Sequence, residues 1–143
     1  MKTRLGLILI GSMIFSYAAA SDWFLIAKGN DSIVFVDKSS ISSKDKYLKA
    51  WLIWDYTGPK KMEYYPYKEY RSTKSLYYLD CSSNSIAISQ SVNYLGNFGA
   101  GESVDSYSQD ISKLKFSDVA PDTIGETILK YVCVRGASKE RKK

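Results

Sequence analysis

Apolar residues recur at two different periods along the chain. From residue 23 to residue 108 they come in short runs rich in aromatic and β-branched side chains, each bounded by turn residues. This pattern predicts strands. WFLIAK at 23–28 and SIVFVD at 32–37 flank Gly29-Asn30-Asp31, and YLKAWLIWDY at 47–56 is the strongest run. Thr57-Gly58-Pro59 is expected to stop that strand, because proline has no N–H for the ladder. YRSTKSLYYLDC at 70–81 and NSIAISQSVNYL at 84–95 flank Ser82-Ser83, which predicts a hairpin. ESVDSYS at 102–108 is a weaker sixth strand after the glycine-rich connection GNFGAG at 96–101, and 39–46 reads as a polar connection.

The period then changes. After Pro121, Ile124, Ile128, Leu129 and Val132 fall on one helical face. Asp122 or Thr123 supplies the N-cap, and Thr123 with Glu126 has capping-box spacing. The helix is expected to end at Cys133. The fold class is therefore α+β: an antiparallel sheet of about six strands with one C-terminal helix packed on one face.

Such a helix covers only one face. Yet the strands are apolar on both sides: Leu52 and Trp54 oppose Trp51 and Ile53, and Val34 and Val36 oppose Ile33 and Phe35. The second face needs a cover, either the loops at 57–69 and 96–121 or another copy of the chain as a homodimer.

Residues 1–20 read as a signal peptide. Lys2 and Arg4 precede an uncharged apolar run at 5–17, and Ala18-Ala19-Ala20 is a small-residue cleavage pattern. The run is too short for a membrane span, and no cysteine stands at the cleavage point for lipid attachment. The expectation is an exported domain at 21–133, periplasmic or at the cell surface and not lipid-anchored. It is followed by a basic, disordered tail at 134–143. In an exported chain the two cysteines, Cys81 and Cys133, read as one disulfide, the alternative being two reduced, buried thiols.

The net charge of +5 misleads. Two of the basic groups lie in the signal segment and five in the last ten residues, so the domain between them is near neutral. That leaves no electrostatic footprint for nucleic acid. The chain has no histidine, which removes the commonest general base and zinc ligand. Phosphate loops, nucleophile elbows and metal-ligand spacings are also lacking, so neither catalysis nor a cofactor is expected. Asp37, Asp55, Asp80, Glu102 and Asp105 are carboxylates at strand ends or on strands, where turn formation is the ordinary role.

Several residues, taken in order, resemble the surface-adhesin protein E family. They are Trp23, VDKSSI at 36–41, Trp51 with Asp55-Tyr56, Tyr70-Arg71-Ser72, Leu79-Asp80-Cys81, Ile124-Gly125-Glu126 and Lys130-Tyr131-Val132-Cys133. The resemblance spans about 22–133. It implies a small exported domain with a six-stranded antiparallel sheet and a C-terminal helix, tied by one disulfide. It also implies an adhesin that binds matrix and serum proteins, dimeric and lipid-anchored in the family's best-known member.

One stretch suits that role. KKMEYYPYKE at 60–69 follows the Thr57-Gly58-Pro59 break and mixes three tyrosines with charges. Tyrosine joins a large apolar body to a polar tip and is enriched at interfaces. Lys60, Lys61, Tyr64, Tyr65, Tyr67, Lys68 and Arg71 are the candidate surface, the alternative being tyrosines that lie down as a lid on the sheet. The expected partner is a protein or a component of the cell envelope, whether a host ligand or an accessory role in the periplasm.

Overall fold

The computed structural model describes residues 20–141. The expected signal segment lies outside them apart from Ala20, as do Lys142 and Lys143. The strands are β1 (Trp23–Lys28), β2 (Ser32–Asp37), β3 (Ser42–Lys44), β4 (Tyr47–Lys61), β5 (Glu69–Asp80), β6 (Ser85–Tyr94), β7 (Ser103–Ser108) and β8 (Ser117–Asp118), followed by the helix α1 (Ile124–Glu140). All pairings are antiparallel, in the order β1-β2-β4-β5-β6-β7, with β3 added to β4 and β8 to β6.

Three expectations are corrected here. The sheet has eight strands rather than about six. The extra two are only three and two residues long, too short to show a period. Strand β4 does not stop at Thr57. Its pairing with β2 ends at Tyr56, and its register to β5 shifts between Asp55 and Lys60. Pro59 falls inside that unpaired stretch, where its missing N–H costs the ladder nothing. Finally, α1 continues beyond Cys133 to Glu140, so most of the expected tail is helix.

The helix continues because it has something to pack on. Gly136 is buried against Leu48 of β4; a Cβ there would lie 2.8 Å from Leu48 Cδ2. One turn later Lys139 Nζ donates to the carbonyl oxygens of Lys38 and Ile41, both at 2.9 Å. At the other end Thr123 is the N-cap and accepts from the Glu126 N–H at 3.2 Å. The Glu126 carboxylate reaches back to the Asp122 N–H at 3.1 Å, one residue earlier than a standard capping box.

The main core fills the space between helix and sheet. Val34, Val36, Ala50, Leu52, Tyr77 and Leu79 meet Ile128, Leu129 and Val132. Within it Trp54 Nε1 donates to the Tyr77 hydroxyl at 3.0 Å. Burial pushes that phenol up to about 12. The Cys81–Cys133 disulfide joins the turn after β5 to the middle of α1.

The second face is covered by loops of the same chain at its two ends. Phe98, in the 96–101 loop, sits edge-on against Phe35 at 5.0 Å and Trp23 at 5.9 Å. Asp55 holds that loop, accepting from the Phe98 N–H at 2.6 Å and Asn97 Nδ2 at 3.0 Å. Ser72 does the same, donating to the Gly96 carbonyl and accepting from the Gly99 N–H. Toward the other end Phe116 stacks on Tyr47 at 4.6 Å. Ile53 beneath is fully buried, whereas the register pair Trp51 and Leu76, between the two covers, is only half-buried. Among the described residues no helix is long and apolar enough to cross a membrane.

Candidate functional site

The tyrosine-lysine stretch is the tip of the β4–β5 hairpin. The Met62 N–H donates to the Lys68 carbonyl at 3.0 Å, which closes the base of the tip. The Tyr67 N–H donates to the Tyr64 carbonyl at 2.8 Å, which closes a tight turn. The Tyr65–Pro66 peptide is cis, and Tyr67 takes a positive φ of 54°. Met62 points inward and is buried, anchoring the tip. The residues beyond it point out: Tyr64 is 55 % exposed, Tyr65 83 % and Tyr67 54 %. They therefore do not lie on the sheet as a lid.

Two contacts hold this tip to the body. The Tyr64 hydroxyl donates to Asp105 of β7 at 2.6 Å. That carboxylate disfavours the phenolate and raises Tyr64 above its ordinary range. At the hairpin base the Lys60 ammonium pairs with Asp31, which lowers the Asp31 carboxyl and raises Lys60. Lys60 also lies 5.4 Å over the Tyr56 ring, and Tyr56 meets Tyr70 edge-on at 5.8 Å. Burial raises the Tyr70 phenol. Tyr65 and Tyr67 meet edge-to-face at 6.2 Å, so these two exposed rings steady each other.

The seven candidate residues therefore divide. Tyr64, Tyr65, Tyr67 and Lys68 form the tip, and Lys61 and Arg71 are exposed on the strands behind it. Lys60 is half-buried in its ion pair and serves the hairpin base. Asp31 and Asp105 were not visible as part of this surface in the sequence. They lie 29 residues from Lys60 and 41 from Tyr64, and only the sheet brings them together.

Four of the five carboxylates singled out for chemistry have structural partners. Burial would push the Asp37 carboxyl up, but hydrogen bonds from Ser39, Asp22 and Ser40 outweigh it and hold it low. Asp80 is held low mainly by the Ser82 hydroxyl, with the N–H groups of Ser82 and Ser83 beside it, and so caps the turn into β6. Asp55 holds the 96–101 loop and Asp105 holds Tyr64. Glu102 is exposed.

The family model for surface-adhesin protein E matches residues 23–134, which takes in the whole sheet and both cysteines. The chain belongs to the surface-adhesin protein E family. The solved structures agree at the level of fold. One structure of Haemophilus influenzae protein E superposes with a TM-score of 0.58 at 14 % identity, covering 81 % of this chain and 86 % of that one. A second, from non-typeable Haemophilus influenzae, gives 0.56 at 14 % identity, covering 92 % of this chain and 96 % of that one. No curated protein sequence matches the chain.

Proposed function

We propose that this protein is an exported, non-enzymatic adhesin of the protein E type that uses the β4–β5 hairpin tip to contact a protein or another envelope macromolecule. The observation that carries the proposal is a tip with three exposed tyrosines, pinned to the body by Tyr64–Asp105 and by the buried Met62. Holding the tip beforehand lowers the entropy lost on binding. Tyr65 and Tyr67 are the anchors, and Lys61, Lys68 and Arg71 supply the charged rim. Family membership supports the adhesive role. The non-enzymatic reading rests on four candidate carboxylates that are already engaged in holding turns, a loop and the hairpin. A homodimer belongs to the same proposal, with the half-buried Trp51 and Leu76 as its contact.

Protease shaving of intact cells of the native host, beside osmotic-shock release, tests the location. Removal of the protein by shaving supports adhesion. Release only by osmotic shock would overturn it and point to a periplasmic accessory role.

A further inference from the structure

A second concentration of cations lies away from the hairpin, between the 3-10 turn at Lys38–Ser40 and the last turns of α1. A recess of about 360 Å³ opens there, and Lys38, Arg135 and Lys139 line it with one carboxylate, Asp22. Each cation is fixed by a contact that leaves donors free. Lys139 Nζ uses two of its three N–H groups on the Lys38 and Ile41 carbonyls. Lys38 Nζ pairs with Asp22 at 3.0 Å and sits 5.4 Å from the Phe24 ring centroid. Arg135 lies 5.5 Å from the Tyr131 centroid and pairs with no carboxylate among the described residues. Phe24 and Tyr131 stack at 5.6 Å, so the two rings that carry Lys38 and Arg135 lie side by side.

The polar hydrogens facing this recess are therefore cationic. The hydroxyls of Ser39 and Ser138 are already used, donating to Asp37 Oδ1 and to the Val134 carbonyl. Among the described residues, three cations from two elements, against one carboxylate, suit a compact anion with several oxygens. An arginine fork beside lysine point charges is the usual pairing for phosphate. The border adds a second requirement. Phe24 is 44 % exposed and Val134 67 % exposed, and Val134 lies with Tyr131 and Arg135 on a shallow surface that also carries Thr127 and the Glu126–Lys130 ion pair. We propose that this recess binds a phosphate group, and that the apolar border favours one carried on a lipid headgroup over free phosphate. The site is independent of the hairpin tip.

The test uses the mature chain. Inorganic phosphate is titrated by calorimetry, and phosphatidylglycerol vesicles are cosedimented beside phosphatidylcholine vesicles at low and high salt. Arg135→Gln and Lys38→Gln are each expected to weaken binding by about tenfold or more. Lys113→Gln, which removes an exposed cation elsewhere, leaves it unchanged. Val134→Ser weakens vesicle binding alone. Variant-sensitive binding of both probes shows that the phosphate group itself is recognised. Binding of vesicles alone assigns the site to lipid, and binding of inorganic phosphate alone supports the anion site and removes the lipid. The proposal falls if neither probe binds, or if Lys113→Gln weakens binding as much as Arg135→Gln. Melting curves of each variant separate a lost site from a lost fold.

Discussion

Alanine at Gly136 tests whether the helix beyond Cys133 is truly seated on the sheet. The new Cβ would lie 2.8 Å from Leu48 Cδ2 and 3.1 Å from Leu48 Cγ, with Cδ1 nearer still. Leu48 is only 9 % exposed and belongs to the main core with Leu79 and Val132, so it has little room to turn away. On helix propensity alone, glycine to alanine stabilises by about 1 kcal/mol. Forcing a methyl group into a packed core costs about 1–3 kcal/mol, and a leucine enclosed on several sides places this case near the top of that range. The net expectation is a loss of about 2 kcal/mol, which for a chain of this size lowers the melting temperature by about 5–10 °C. Gly58→Ala is the control, because nothing lies within 4 Å of a Cβ there. Thermal unfolding followed by circular dichroism reads both. A Gly136→Ala protein as stable as wild type, or more so, would mean that the last turns of α1 stand free of β4.

Reduction of Cys81–Cys133, or Cys133→Ser, should remove up to about 4 kcal/mol, the chain-entropy value for a loop of this length. Mass measurement beside melting with and without reductant checks it. Stability should fall as pH drops. Hydrogen bonds hold the Asp37 and Asp80 carboxyls below the ordinary aspartate value, so their contribution is full above the unfolded value and is lost as pH falls through the lower folded values. Denaturant curves taken from neutral pH to below about pH 4 should show this loss, and Asp37→Asn should make it shallower. Asp105→Asn should return the Tyr64 phenol toward its ordinary range and loosen the hairpin tip while the melting temperature barely moves. Ring-labelled tyrosine NMR through alkaline pH reads the first effect and hydrogen exchange the second.

Much of the fold was legible because period is a strong signal. The six longer strands and the capped start of α1 follow from alternation and from Thr123 with Glu126. What escaped depends on contacts far along the chain. The passage of β4 through Pro59 follows from where β2 stops pairing, and no local pattern at 57–59 records that. The extension of α1 rests on Gly136 fitting over Leu48, although glycine lowers helix propensity by itself. In the candidate surface the tyrosines were visible as composition. That Lys60 belongs to the hairpin base, and that Asp105 pins Tyr64, could be read only once the strands were aligned. The recess beside Lys38 and Arg135 was hidden for the same reason. Its cations come from the two ends of the domain, and Lys139 reaches across 101 residues to the Lys38 carbonyl.

Adhesion through the hairpin tip is tested most directly by binding of residues 21–143, and of a Tyr65→Ser/Tyr67→Ser variant, to immobilised basement-membrane extract and serum proteins, with melting curves alongside. Both rings are exposed, and their loss should leave the melting temperature nearly unchanged. Losing one hot-spot aromatic typically costs about 2 kcal/mol or more, so loss of both rings should weaken binding by at least about thirtyfold, and by about a thousandfold if the two contributions add. Undiminished binding by the variant, or no binding by either protein, would contradict the account.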